Sequence, residues 1–308
     1  MTILITGGSG MLGRNIRDAA VAQGVPVLTP GRSELDLCSR ESAHRWLSRH
    51  RPDLVIHCAG HVGGIQANIA DPLGFMTLNL DMGMNLIRTA HEVGIPRVLN
   101  VGSSCMYPRA APSPLREECI LTGELEPTNE GYALGKILTA KLCEYIARQS
   151  PSSLYRTVIP CNLYGRYDHF EPERSHLVPA VIRKVHEANL AGSTTVALWG
   201  DGTARREFMF AADAASLILA AAQRIDELPQ YMNIGLGYDF SVLEYYEAVA
   251  HVVGWPGSYS FDLSKPTGMK QKVVEISHQA SLGLKASTDL RDGLRQTYEY
   301  FLKMHYAS

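Results

Sequence analysis

The chain has 308 residues, 45% hydrophobic and 19% charged, with a formal net charge of −2. That is the make-up of a soluble globular protein with room for one large or two modest cores. It offers no basic field for nucleic acid and no polybasic patch for a membrane. No apolar run approaches the roughly 20 residues that span a bilayer. The opening Met-Thr-Ile-Leu-Ile-Thr-Gly-Gly enters a strand directly, without a charged stretch and an apolar signal core. The cysteines never form Cys-x-x-Cys, so neither a zinc site nor a disulfide framework is implied and no metal is expected. Thiols without a signal segment predict the cytoplasm.

Residues 2–6 read as a short apolar strand, followed at once by Gly7-x-x-Gly10-x-x-Gly13 and a helical stretch to about Gln23. Glycines between strand and helix allow a tight turn, admit a pyrophosphate to the backbone and let helix and sheet approach closely. The helix N-terminus adds unpaired N–H groups and a positive dipole end, so this is a candidate dinucleotide site. A second strand, Val25–Leu28, runs into Thr-Pro-Gly31-Arg32-Ser33. An arginine here accommodates a 2′-phosphate and an acid grips a 2′-hydroxyl, so Arg32, with no acid before Glu34, favours NADPH. Asp36 and Leu37 follow where an adenine lies in such folds.

Ser42–Arg49 reads as a helix and Asp53–His57 as a third strand. The small residues Cys58, Ala59 and Gly60 then let the backbone pass close to a ribose or diphosphate. Residues 72–93 read as a long helix whose Leu73, Met76, Leu80, Met84, Ile87 and Ala90, three or four apart, are expected to form one buried face. Core packing or a helix-to-helix dimer contact accounts for that face, and Asn79 is its polar candidate for the cofactor region. Val98–Val101 is the fourth strand, and Gly102-Ser103-Ser104-Cys105-Met106-Tyr107-Pro108 follows its carboxyl end, where ligands of parallel sheets bind.

A helix beginning near Asn129 carries Tyr132-x-x-x-Lys136, which places phenol and amine on one face. A tyrosine ionises near pH 10, and a lysine cation one turn away is expected to lower that value. Beside a nicotinamide ring such a pair moves a proton to or from a carbonyl oxygen as hydride moves. A fifth strand, Ser153–Ile159, leads to Pro160-Cys161-Asn162-Leu163-Tyr164-Gly165. Beyond it come a polar loop (166–175), helices near 176–190, 213–224, 241–253 and 287–304, and strands near 196–199, 232–234 and 259–261. The expected architecture is α/β: a Rossmann-type doubly wound parallel sheet with a smaller mixed α/β C-terminal substrate domain. Residues 1–162 and about 209–237 form the first unit, and 163–208 with 238–308 the second.

With these motifs in hand, the chain resembles the GDP-L-fucose synthase family of the extended short-chain dehydrogenase/reductase superfamily, nearly end to end. The glycine motif, Ser103 and Tyr132-x-x-x-Lys136 carry the superfamily likeness. The narrower likeness lies in 102–108, Glu-Pro-Thr-Asn-Glu-Gly-Tyr (126–132), Asn-Leu-Tyr-Gly (162–165), Ser-His-Leu-Val-Pro-Ala (175–180), Arg-Arg-Glu-Phe (205–208) and Ser-Lys-Pro-Thr-Gly (264–268). Two departures stand out: Gly8-Ser9 replaces a basic side chain common in the glycine loop, and Lys184 stands where some relatives have arginine, which alters phosphate contacts.

The resemblance implies an NADPH-dependent epimerase–reductase acting on a GDP-4-keto-6-deoxy-hexose to give GDP-L-fucose. It implies that Ser103 and Tyr132 bond the sugar C4 oxygen, that Lys136 holds the nicotinamide ribose, and that Cys105 and His176 are the epimerisation base and acid. The remaining implied cofactor contacts are Gly7, Gly10, Met11, Leu12 and Gly13, then Arg32, Asp36, Leu37, Cys58, Ala59, Gly60 and Asn79, then Pro160, Asn162, Leu163 and His176. Substrate contacts are implied at Ser104, Asn162, Lys184, Trp199, Arg206 and Lys272. The chemistry is coherent, because a C4 ketone acidifies C3 and C5, donors at C4 stabilise the enolate, and inversion needs groups on two faces. Dehydratases of the superfamily carry acids where Ser104 and Cys105 stand, which argues against elimination. A 4-epimerase that recycles bound NAD needs neither Cys105 nor Arg32. A GDP-L-colitose synthase, a GDP-heptose C4 reductase and a non-catalytic NADPH sensor remain as alternatives, and a homodimer through helices 72–93 and 131–149 is expected.

Overall fold

The computed structural model describes residues 1–172, 174–264 and 269–306. Six parallel strands form the central sheet: β1 (Ile3–Thr6), β2 (Val27–Leu28), β3 (Leu54–His57), β4 (Arg97–Val101), β5 (Leu154–Pro160) and, returning late in the chain, Tyr231–Ile234. Their spatial order places β1 between β2 and β3, so the order reverses beside β1 and opens a crevice at the carboxyl ends of β1 and β3. Alternation along each strand sends side chains to opposite faces. Ile3, Ile5, Leu54, Ile56 and Leu99 pack on one side; Leu4, Val55, Val98 and Tyr155 pack on the other. Each such buried aliphatic contributes about 1.5–3 kcal/mol.

Helices cover both faces: α1 (Met11–Ala22), α2 (Arg40–His50), α3 (Ile65–Ala70), α4 (Pro72–Glu92) and α5 (Glu130–Gln149) precede β5. The start of α4 is set by Asp71, whose carboxylate accepts the Gly74 N–H at 2.8 Å, with Pro72 in the first turn. Its sunken face agrees with the sequence expectation at Ile87 and Ala90 and differs from it in the first three turns. Phe75, Asn79, Gly83, Leu86 and Ala90 are buried, whereas Leu73, Met76, Leu80 and Met84 are exposed or half-exposed. The reason lies in small residues. A Cβ on Gly83 would lie 2.4 Å from Thr139 Oγ1, and one on Gly131 2.4 Å from the Pro72 carbonyl. Gly83 on α4 and Gly131 on α5 therefore lie at the contact between the two helices, and Met76 and Met84 are left partly exposed beside it.

After β5 the chain forms β6 (Asn162–Tyr164), α6 (Leu177–Leu190), β7 (Thr195–Trp199), β8 (Arg205–Arg206) and β9 (Phe208–Phe210). Next come α7 (Ala211–Gln223), β10, which is the returning strand Tyr231–Ile234, then β11 (Phe240–Ser241) and α8 (Val242–Val253). β12 (Ser258–Asp262), β13 (Gln271–Lys272), α9 (Ser277–Ser281) and α10 (Leu290–His305) follow. β6 pairs with β9, β7 with β12, and β8 with both β11 and β13. These small sheets, with α6, α8 and α10, enclose a separate apolar cluster around Val181, Val185, Leu198, Tyr245 and Phe301. The pairing of β6 with β9 and the short β8 and β13 were not anticipated, because two- and three-residue strands leave no periodic signal. Helix α10 begins at Leu290, because Asp289 accepts the Asp292 N–H at 2.9 Å. Most of the Ser-Lys-Pro-Thr-Gly stretch, residues 265–268, lies outside the described residues.

Candidate active site

One cavity of about 950 Å³ runs from the glycine loop across the carboxyl ends of the sheet to α6, β7 and β13. At its first end Gly7 has φ +69°, and a Cβ there would lie 2.8 Å from the Ala59 backbone. A Cβ on Gly13 would lie 2.2 Å from the Gly7 carbonyl oxygen. β1, α1 and the Cys58–Gly60 turn are thus drawn together. The N-cap of α1 is Gly10, with no side-chain cap and no acid in the first turn, so its N–H groups face the cavity unopposed. Met11, Leu12, Leu37, Pro160 and Leu163 supply apolar wall. Arg32 extends into solvent with its Nε 3.9 Å from Asp36 Oδ1. This donor set and cradle fit a dinucleotide.

Asn79 does not line the cavity. Its Oδ1 accepts the His61 N–H at 3.0 Å and its Nδ2 donates to the His61 carbonyl at 2.9 Å, so it holds the 60–62 turn from behind. Ser104 is also outside the lining, because the single 3-10 turn Ser104–Met106 directs it into the protein while Ser103 and Cys105 face the cavity.

Ser103, Cys105, Tyr132, Lys136 and His176 all line the same space. Ser103 stands beside the Tyr132 phenol. Burial, then the nearby Cys105, raises the Tyr132 pKa, and Ser103 opposes them in part. This corrects the expectation that Lys136 depresses it. The Lys136 ammonium lies 5.9 Å from the Tyr132 ring centroid and donates to the Val101 carbonyl at 3.1 Å. Burial brings the lysine itself down to about 8, with Cys58 opposing. A neutral phenol is a proton donor, so the pair is set to protonate an oxygen. Behind it His57 is pushed down to about 3 by burial and then by Lys136, and bonds Thr6 Oγ1 at 2.9 Å as a neutral ring.

Cys105 Sγ lies 3.2 Å from Asn129 Nδ2 and 3.8 Å from Lys272 Nζ. His176, the N-cap residue of α6, opens onto the cavity. The protein mass around it lowers its pKa, and His169 and Lys272 add to the effect. Toward the far end Lys184 Nζ stands 5.4 Å from the Trp199 ring centroid. Arg206 and Lys272 complete that end, and Asn162 Nδ2 donates to the Glu207 carbonyl at 3.1 Å. His61, Glu126 and Asn129 also line the cavity and were not singled out from sequence. Asn129 sat inside the quoted 126–132 stretch, whereas His61 had no signal beyond a short loop.

Among the described residues, no three His, Cys, Asp or Glu side chains are grouped to hold a metal ion. No helix among them is long and apolar enough to cross a membrane.

A glycine-cradled crevice at a sheet reversal, continuous with a Ser–Tyr–Lys cluster, defines a dinucleotide-binding α/β enzyme of the short-chain dehydrogenase/reductase type. More narrowly, the chain belongs to the NAD dependent epimerase/dehydratase family, whose model matches residues 3–235. It is 47% identical over 300 residues to a GDP-L-fucose synthase of Azorhizobium caulinodans, covering 97% of this chain and 96% of that protein. It is 46% identical over 302 residues to a GDP-L-colitose synthase of Yersinia pseudotuberculosis, covering 98% of each. Among solved structures, a GDP-D-glycero-L-gluco-heptose synthase from Campylobacter jejuni, crystallised in the presence of NADPH, superposes with a TM-score of 0.90. That structure is 28% identical, with 97% of this chain and 98% of that one covered.

Proposed function

We propose that the protein is an NADPH-dependent epimerase and C4 reductase of a GDP-4-keto-6-deoxy-hexose, with GDP-L-fucose as product. The observation that carries this reading is the meeting of two kinds of group in one cavity. A neutral phenol paired with Ser103, and a thiol facing an ammonium, share the space that begins at the glycine loop. Residues 1–162 with 209–237 hold the cofactor, and 163–208 with 238–308 form the sugar-nucleotide side. Gly7, Gly10 and Gly13 admit the diphosphate, Arg32 meets the 2′-phosphate, and Lys136 holds the nicotinamide ribose. Bound NADPH supplies the hydride that reduces C4.

The chain's own groups do the rest. Ser103 and Tyr132 donate to the C4 oxygen, so negative charge developing there is met by fixed donors. Cys105 removes a proton beside the ketone, and His176 returns one from the opposite face. Tyr132 then protonates the C4 oxygen during reduction. Lys184, Trp199, Arg206, Lys272 and Asn162 hold the GDP-sugar, with Trp199 and Lys184 forming a ring-and-cation platform for the nucleotide. The outward face of α4, including Leu73 at 66% exposure, and Leu138 and Tyr145 on α5 support a homodimer through these helices. The cytoplasm is the compartment that suits the unpaired cysteines and the reduced cofactor.

The 46% identity to a colitose synthase favours a second reading, in which C5 alone is inverted on a 3-deoxy sugar. Incubation with NADPH and GDP-4-keto-6-deoxy-mannose in deuterated water, followed by NMR of the product, separates them. Deuterium at C3 and C5 supports the fucose reading, and deuterium at C5 alone the colitose reading. Reduction without any deuterium beside C4 removes the epimerase and leaves a plain C4 reductase, as in a heptose pathway.

A further inference from the structure

Asn129 stands at the N-cap of α5, where an asparagine normally accepts an N–H of the first helical turn. It makes no such bond. Its Nδ2 is instead directed at Cys105 Sγ, 3.2 Å away, and its Oδ1 is buried with no hydrogen-bond partner. A buried amide that neither caps its helix nor satisfies its oxygen is held at a cost, and such groups call for a reason. The sulfur has a second donor, Lys272 Nζ at 3.8 Å, from the far end of the chain. Beneath it Ser103 Oγ takes the Cys105 N–H at 3.3 Å, which fixes the backbone that carries the thiol.

We propose that Asn129 is a catalytic residue that serves the Cys105 sulfur in both of its protonation states. When the sulfur is a thiolate, Asn129 Nδ2 and Lys272 Nζ both donate to it. The thiolate takes the proton from the carbon beside the C4 ketone. A new S–H bond forms, the C–H bond breaks, and its electron pair passes to the C4 oxygen as an enolate. The S–H then needs an acceptor, which a lysine lacks. Half a turn of the Asn129 amide presents Oδ1 to the S–H and breaks no other hydrogen bond, because Oδ1 has none. Lys272 thus serves the sulfur only as a donor, and Asn129 serves it as donor and then as acceptor. The proton-transfer role rests on the reading of Cys105 given above, but the sulfur's charge state is measurable without any substrate.

The test uses the full-length protein and its Asn129→Leu, Asn129→Asp and Cys105→Ser variants. The loss in Cys105→Ser identifies the signal of this thiol among the others. Iodoacetamide alkylation at neutral pH and thiolate ultraviolet absorbance report the sulfur, and NADPH fluorescence reports the fold. Asn129→Leu is expected to slow alkylation of Cys105 about tenfold, the worth of one charge-assisted hydrogen bond. Asn129→Asp is expected to slow it further, because a carboxylate then faces the thiolate; being isosteric, it carries the test should the leucine variant fail to fold. Both variants are expected to bind NADPH and to lose solvent-deuterium exchange into GDP-4-keto-6-deoxy-mannose in step with alkylation. Unchanged alkylation in the folded variants overturns the proposal. Should the unmodified protein exchange no deuterium while alkylation responds as stated, the substrate reading falls and the hold of Asn129 on the sulfur stands.

Discussion

Replacing Lys136 by methionine is expected to make the unliganded protein more stable at neutral pH while removing ketone reduction. The lysine is 5% exposed, and burial brings its pKa from 10.5 to about 8. At neutral pH the ammonium is charged in both states and the folded state bears its desolvation, worth up to about 3 kcal/mol. Methionine removes that penalty and loses one hydrogen bond to the Val101 carbonyl, at roughly 1 kcal/mol. The net expectation is a gain of about 1–2 kcal/mol, or a few degrees in melting temperature. The pH dependence is the sharper signature. Between about 8 and 10.5 the unfolded chain still binds the proton that the folded one is releasing, so stability attributable to this group rises with pH. The advantage of Lys136→Met should therefore shrink across that window and vanish near its top. Urea unfolding of both proteins through that pH range measures it. A variant less stable than the parent at neutral pH, or an advantage that does not decline with pH, refutes the assignment of a desolvated ammonium.

Two further outcomes follow from other parts of the cavity. Gly13→Ala sets a Cβ 2.2 Å from the Gly7 carbonyl oxygen, so α1 must back away from the loop at about 1–3 kcal/mol of overpacking. NADPH affinity by fluorescence titration should fall at least tenfold, and unchanged affinity would place the diphosphate elsewhere. Glu207→Gln attacks a carboxylate that accepts the N–H groups of Val274 at 2.8 Å, Gly237 at 3.0 Å and Leu236. The amide turns an N–H toward one of those donors, so urea unfolding should report a loss of about 1–3 kcal/mol; an equally stable variant would mean the bracket is slack.

The elements that were legible in sequence are those with long periodicity or glycine punctuation. Strands β1 and β3–β5, helix α1 and the Tyr132 helix each follow from patterns of four or more residues. What escaped was set by contacts between distant segments. The spacing from Leu73 to Ala90 predicts one buried stripe; Ile87 and Ala90 sink, but Leu73, Met76, Leu80 and Met84 do not, because Gly83 of α4 against Thr139 and Gly131 of α5 against Pro72 set where the two helices meet. Sequence points Asn79 toward the cofactor region, whereas its amide bonds the His61 backbone. The family resemblance implies a substrate contact at Lys272. Its approach to Cys105 depends on the two-residue strand β13 beside β8, which no local pattern announces. The expectation that Lys136 acidifies Tyr132 treated the pair as if in water, and burial reverses the direction.

The thiol, the amide and the ammonium that meet at Cys105 come from positions 105, 129 and 272, with β10 and the whole of α8 synthesised between the last two. The sulfur therefore meets both donors only while β13 stays seated beside β8, and a local opening that parts those two short strands takes the ammonium away and leaves the amide alone at the thiol.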